Sequence, residues 1–227
     1  QGSFDLINRA DGSSGVILAA ENASWQQGSQ SVSTQGLSTL KMERDAEGRI
    51  REFSAQSQNV NYANGDQLGQ LSDGQLVVKY NPDGSLSQVG AQVGHLHWQD
   101  PEQGLDASGV GLNMNYGPNG QLQALNGQIE SLKYQGQGQS LTASQTQVHA
   151  RWGENGQLSS VAAQAGQVDW QGANGELLKA TDTKLNAQYH PNGQLGSVNA
   201  SSGQVFLQQA GQTLQLDKAQ AGITYRP

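Results

Sequence analysis

The chain has 227 residues and a net charge of −7, and only 14% of its residues are charged. Its lysines and arginines are scattered, so it is a poor match for a phosphate backbone and we expect no nucleic-acid partner. The absence of cysteine excludes disulfides and thiol chemistry. No apolar run is long enough to span a membrane as a helix. The chain starts at Gln1 rather than at a methionine. Removal of a signal peptide, which we favour, would explain this, and so would trimming of the sequence.

A turn motif recurs along the whole chain. Six tetrads end in glycine, at Arg9–Gly12, Asp45–Gly48, Asn81–Gly84, Gly117–Gly120, Gly153–Gly156 and His190–Gly193. Their first residues are 36, 36, 36, 36 and 37 positions apart. Proline at the second position, Asn or Asp at the third and glycine at the fourth favour a type I turn with a glycine bulge, which joins antiparallel strands. The unbroken repeat predicts a single repeat domain over residues 1–227, with repeats starting near 9, 45, 81, 117, 153 and 190.

Apolar residues alternate between the turns. The segment Phe4–Asn8 matches the end of a later strand, Leu76–Tyr80, so the chain begins partway through a repeat. Each repeat then has a first half, such as Leu86–Trp98, and a second half, such as Leu105–Tyr116. The alternation slips by one residue within each half, and a bulge or sharp bend would return the later side chains to the same face. The pattern predicts an all-β fold of about twelve bent strands in a stacked antiparallel meander.

The alternation also predicts an apolar interior. The residues that we expect to line it are Val89, Leu96, Leu112, Met114, Leu132, Val148, Val168, Leu185, Val205 and Ile223. Aromatic residues at the ends of the half-repeats would border it, at Trp98, Tyr116, Tyr134, Trp152, Trp170 and Tyr189. Small residues such as Ala91 and Gly127 leave two alternatives open: a groove with room for a ligand, or two sheets packed closely together.

The N-terminal strand is a candidate interaction edge. Val16, Ile17 and Leu18 are apolar, and their segment carries no Pro or Lys to prevent pairing with another chain. Head-to-tail strand addition would then produce oligomers or filaments. Alternatively, upstream sequence covers this edge.

Catalytic motifs are absent from the sequence. There is no nucleophile elbow, phosphate loop or catalytic Cys/His arrangement, so we expect neither an enzyme nor a cofactor. His95 and His97 would share one face of a strand, but no third ligand stands at a useful spacing, so we predict no metal site.

One segment carries a resemblance to a known family. The residues are Leu141-Thr-Ala143, Trp152, Gly156-Gln-Leu158 and Ala165-Gly-Gln-Val168-Asp-Trp170, with equivalents in other repeats. This pattern resembles the OstA-like family of periplasmic lipopolysaccharide-transport proteins. The resemblance implies an open β-jellyroll, or β-taco, that holds lipid acyl chains in its groove and joins related proteins end to end through edge strands.

These observations lead to one functional hypothesis and two alternatives. The hypothesis is a periplasmic protein that binds lipid or lipopolysaccharide and associates with itself or with related β-taco proteins. The first alternative is a secreted structural subunit of an extracellular filament without a ligand. The second is a parallel β-solenoid, which the hairpin-type turns disfavour.

Overall fold

The computed structural model describes residues 2–225, which form fourteen β-strands and no helix. The strands are β1 Gly2–Asn8, β2 Ser14–Glu21, β3 Ser24–Gln27, β4 Gln30–Arg44, β5 Ile50–Asn64, β6 Gln67–Tyr80, β7 Leu86–Gln99, β8 Gln103–Tyr116, β9 Leu122–Gly136, β10 Gln139–Trp152, β11 Leu158–Gln171, β12 Leu177–Tyr189, β13 Leu195–Gln209 and β14 Gln212–Thr224. They form one open antiparallel sheet in which spatial order follows chain order, except that β3 pairs only with β4. The predicted all-β antiparallel meander is confirmed.

The strand count exceeds the predicted twelve for two reasons. The partial repeat at the N-terminus forms a strand of its own, β1. The next long strand is interrupted at Asn22, whose φ of 54° lies in the left-handed region, so it is divided into β2 and β3.

The predicted N-terminal edge at Val16, Ile17 and Leu18 is wrong. These residues lie in β2, where Val16 pairs with Leu6 of β1 on one side and with Met42 of β4 on the other. The N-terminal end of the sheet order is therefore β1, because Gly2–Asn8 already covers the edge assigned to β2.

The tetrads form the predicted turns. At Asn81–Gly84, the Gly84 amide donates to the Asn81 carbonyl at 2.9 Å and the Asn81 amide donates to the Ser85 carbonyl at 2.8 Å. Gly84 has a φ of 86°, and the Asp83 carboxylate accepts the Ser85 amide at 2.9 Å. The same two backbone bonds close the other five tetrads. Glycine at the fourth position supplies the left-handed conformation, and Asn or Asp at the third position accepts a nearby amide.

A left-handed residue marks the bend of each long second-half strand. These residues are Gly36, Asp73, Gly109, Gln145, Asp182 and Lys218, with φ values of 79°, 52°, 58°, 50°, 50° and 54°. On either side of the bend in β6, Leu71 pairs with Val60 and Leu76 pairs with Ala55. The apolar alternation therefore continues on the same face after the slip, as the sequence predicts.

The bends have room for one side chain each. In five of the six hairpins closed by a tetrad, all but the short β1–β2 hairpin, the bend residue lies opposite one residue of the following strand, and one member of each pair is glycine. The pairs are Gly36–Gln58, Asp73–Gly94, Gly109–Glu130, Gln145–Gly166 and Asp182–Gly203. A Cβ atom on Gly109 would lie 2.7 Å from Glu130 Cβ, and one on Gly94 would lie 3.0 Å from Asp73 Cβ. A second side chain would overlap with its neighbour at Gly109, whereas at Gly203 it would be crowded, 3.4 Å from Asp182 Cβ.

The chain divides into two compact units. The first unit extends to Pro101 and also includes Gly111–Leu122, and the second contains Glu102–Val110 and the residues from Gln123 onward. The prediction of a single domain stays a prediction.

Candidate binding groove

One face of the first unit carries apolar rows that run across its strands. The first row contains Leu6, Val16, Met42, Phe53, Val78 and Val89. The second contains Phe4, Leu18, Leu40, Ala55, Leu76 and Ala91. Beyond the bend, a third contains Thr34, Val60, Leu71 and Leu96. We call this the inner face, because period-two alternation places the intervening polar residues on the opposite, outer face.

A trough lies on the inner face of the first unit. Its volume is about 850 Å³, within the range of small-molecule sites. Its apolar lining comes from six strands and includes Phe4, Leu18, Leu40, Val60, Leu71 and Leu76. Ala55 lies between Leu40 and Leu76 in the second row, and its small side chain leaves space between the two leucines. The trough can therefore hold an elongated apolar group.

The trough is open to solvent. Leu40 is 37% exposed, Leu18 is 43% exposed and Phe4 is 59% exposed. Among residues 2–225, the buried apolar side chains are the alanines Ala107, Ala150 and Ala187, and no large side chain is fully buried. Apolar side chains that pack against an opposing sheet would lose most of their exposure. The inner face of the first unit is therefore open to solvent at the Phe4, Leu18 and Leu40 end of the trough.

The inner face of the second unit has the same organisation. One row contains Leu125, Ala150, Val161, Ala187, Val198 and Ile223. The next contains Gly127, Val148, Ala163, Leu185, Ala200 and Ala221, and the row beyond the bend contains Leu132, Ala143, Val168, Ala180, Val205 and Leu216. Val148 is 36% exposed and Leu185 is 42% exposed. Small residues therefore alternate with larger ones across the strands, as the sequence suggests.

The predicted lining residues fall in both units. Val89 and Leu96 lie on the inner face of the first unit, and Leu112 and Met114 lie in the part of β8 that belongs to it. Leu132, Val148, Val168, Leu185, Val205 and Ile223 lie in the inner rows of the second unit. Their role as a ligand-binding surface stays a prediction.

The aromatic residues lie in rows near the turns. In the second unit, Tyr134 and Trp170 share one row with Leu141 between them. Tyr134 also donates its hydroxyl to Gln103 Oε1 at 3.0 Å. In the first unit, Gly69 lies between Tyr62 and Trp98, so no side chain separates the two rings.

The other predicted border aromatics lie beside tetrad turns. Trp152 pairs with Leu158, and Tyr189 pairs with Leu195. Tyr116 ends β8, and its hydroxyl lies 3.7 Å from Met114 Sδ.

Most of the residues that line the trough are not among those predicted from the sequence. Phe4, Leu18, Leu40, Leu71 and Leu76 were not among the predicted lining residues. The repeat spacing would have indicated two of them. Leu40 stands two repeats before the predicted lining residue Leu112, and Leu76 stands one repeat before it.

Ion pairs lie on the outer face beside the first two tetrads. Arg9 Nη1 donates to Glu43 Oε2 at 2.7 Å, and Lys41 Nζ lies 2.8 Å from Glu43 Oε1. The pKa of Glu43 is lowered from its ordinary 4.5 to about 2. The hydrogen bond from Arg9 is the largest cause, and the hydrogen bond from Lys41 is the second. A second cluster joins Arg49 Nε to Asp45 Oδ2 at 2.9 Å.

A polar groove lies on the outer face of the second unit. In the second unit, a groove of about 510 Å³ is lined by side chains that include Gln128, Gln147, Gln164 and Lys184. Gln164 donates to Gln147 Oε1 at 2.9 Å. Across residues 2–225, no three His, Asp or Glu side chains are grouped to hold a metal ion. The described part of the chain also contains no helix that is both long and apolar enough to cross a membrane.

Comparisons with known proteins add little to this description. No protein-family profile matches the chain, and no curated protein matches it. Among solved structures, the chain is similar to a porin-like protein from Bacteroides uniformis, with 10% identity over 94% of this chain and 96% of that chain. The TM-score of 0.16 is too low for this likeness to support any conclusion.

Proposed function

We propose that this protein binds the acyl chains of a lipid, such as a lipopolysaccharide, and carries or bridges it across the periplasm. The observation that supports this best is the open trough of the first unit, lined by leucines from several strands and by Phe4. A passive carrier needs an apolar surface and no reactive group. The family resemblance of the sequence points to the same function.

Apolar burial is sufficient to retain such a ligand. Each methylene removed from water contributes roughly 0.8 kcal/mol, so about ten methylenes contribute roughly 8 kcal/mol before the cost of immobilisation. The open side of the trough leaves part of the chain in water, so this figure is an upper bound. Binding would be reversible, as transfer along a carrier requires.

The C-terminal edge supports association with a second protein. β14 pairs only with β13 within residues 2–225, and Leu214, Leu216 and Ile223 are 49%, 43% and 57% exposed. An unpaired strand with exposed apolar residues is a template for strand addition. The partner in this proposal is a second copy or a related open-sheet protein.

A paired substitution tests the lipid proposal. Leu40→Asp places a carboxylate in the trough, whereas Leu68→Asp changes a leucine that is 49% exposed on the outer face. We expect Leu40→Asp to abolish displacement of the neutral probe N-phenyl-1-naphthylamine by dodecanol, and Leu68→Asp to leave it unchanged. Ala55→Trp, which fills the trough without adding a charge, should also abolish it. Unchanged displacement by folded Leu40→Asp and Ala55→Trp proteins would refute the proposal.

The exposed β14 edge also favours the alternative of a structural filament. In that case the purified protein would form fibres under the electron microscope, and native mass spectrometry of protein from its own host would detect no lipid. Lipid-bound particles would exclude the alternative.

A further inference from the structure

A cation replaces an aromatic residue at the border of the first unit's inner face. Tyr80, Trp152 and Tyr189 each precede a tetrad turn and pair with the first residue of the next strand. Arg44 occupies the same place before its own turn, where it pairs with Ile50. At this border position the first unit, which contains the apolar trough, therefore carries a positive charge.

This charge is not neutralised by its neighbours. The Glu43 carboxylate already accepts hydrogen bonds from Arg9, and the Asp45 carboxylate accepts one from Arg49. Arg44 is exposed, and it forms no ion pair or side-chain hydrogen bond with any residue between 2 and 225. The acidic residues on either side of Arg44 are thus engaged, and its guanidinium can pair with another anion.

An apolar path connects Arg44 to the trough. Leu40 and Met42 precede it on the inner face of β4, and Met42 pairs with Phe53 of β5. Arg44 lies four positions after Leu40 along the strand, a distance of about 13 Å at roughly 3.3 Å per residue. A lipid whose tail lies against Leu40 would therefore bring its head group to the level of Arg44.

We propose that Arg44 recognises the anionic head group of the lipid whose acyl chain occupies the trough. The inference rests on the proposed function and adds a specificity determinant to it. A guanidinium presents paired N–H donors that match the oxygens of a phosphate or a carboxylate. Arg44 therefore selects anionic amphiphiles over neutral ones of equal chain length.

Three ligands with the same tail test this selection. Dodecyl phosphate, dodecanoate and dodecanol would each displace N-phenyl-1-naphthylamine from the wild-type protein, from Arg44→Gln and from Lys133→Gln. The last variant removes one positive charge from an exposed residue of the second unit and serves as the control. We expect Arg44→Gln to bind dodecyl phosphate about tenfold more weakly, as for loss of a charged hydrogen bond, and dodecanol with unchanged affinity. If Arg44→Gln also binds dodecanoate more weakly, Arg44 recognises anions in general. If only the binding of dodecyl phosphate is weakened, the site is specific for phosphate.

The outcomes separate this inference from the proposed function. Equal affinity of the wild type for dodecanol and dodecyl phosphate, or an unchanged affinity of Arg44→Gln for both anions, would overturn the role of Arg44 and leave lipid binding intact. Failure of all three ligands to displace the probe would overturn both. Far-UV circular dichroism of each variant would establish that the sheet is retained.

Discussion

At the residue scale, steric exclusion at the bends determines which residues the repeat tolerates. Where the bend residue is Asp73 or Gln145, the next strand carries Gly94 or Gly166. Where the bend residue is glycine, the next strand carries a larger side chain. A left-handed conformation favours glycine at the bend, but these hairpins show that the glycine can lie on either strand.

Substitution at one bend tests this exclusion. Gly109→Ala places a Cβ atom 2.7 Å from Glu130 Cβ at a residue with a φ of 58°. We expect it to lower the free energy of unfolding by about 2 kcal/mol, from backbone strain together with the overlap. Urea denaturation measures the loss. Gly127→Ala is the control, because no atom lies within 4 Å of its Cβ position, and its stability should be unchanged or slightly higher.

A double variant distinguishes the overlap from strain alone. Gly109→Asp with Glu130→Gly recreates the Asp73–Gly94 pair, so it should be more stable than Gly109→Asp by itself. Equal stability of the single and double variants would show that the opposite side chain is irrelevant.

Glu43 gives the fold a pH dependence. Its pKa is lower in the folded protein than the ordinary 4.5, so its contribution to stability is present above pH 4.5 and is lost as the pH falls towards about 2. Glu43→Gln should lower the urea midpoint at neutral pH, and the difference from wild type should shrink over that interval. Glu154→Gln is the control, since Glu154 forms no ion pair with the described residues. A midpoint difference that does not vary with pH would contradict this account.

At the element scale, the tetrad turns join the strands and also contact one another. Asn155 accepts the Gln157 amide at 3.0 Å within its own turn, and its Nδ2 donates to the Pro191 carbonyl of the next turn at 2.9 Å. Asn192 accepts a hydrogen bond from the Gln194 amide at 3.0 Å. Among the described residues, all of its side-chain hydrogen bonds stay within its own turn.

This difference predicts unequal effects of two similar substitutions. Asn155→Ala should destabilise the protein by about 1 kcal/mol more than Asn192→Ala, because it removes one additional hydrogen bond between turns. Thermal unfolding of both variants measures the difference. Equal melting temperatures would show that the contact between the turns contributes nothing.

Strands and turns were predictable because their signals are local. The sequence Asn81-Pro-Asp-Gly84 specifies its turn through four residues, and the turn then places Tyr80 near Leu86. The break at Asn22 was not predicted, although asparagine is one of the residues that most often adopt the left-handed conformation that interrupts the strand here. The edge was assigned wrongly because Phe4–Asn8 was treated as the remnant of a repeat rather than as a paired strand.

At the scale of the whole molecule, the inner face was predictable and its openness was not. Alternation places Leu76 and Val148 on that face, but no local pattern shows whether an opposing surface covers them. The exposure of Leu40 and Leu185 is a tertiary property, and it makes ligand binding physically reasonable. The trough residues of the first unit were overlooked because the prediction concentrated on later repeats.

The central claim is that the inner face, and not the outer face, holds a lipid. The photo-crosslinking amino acid p-benzoylphenylalanine placed at Leu76 would lie in the trough, whereas the same residue at Lys79, an exposed position of the same strand outside the trough lining, would lie on the opposite face. In protein labelled in its own host, mass spectrometry should detect a lipid adduct at position 76 and none at position 79. No adduct at either position, or equal adducts at both, would contradict the account.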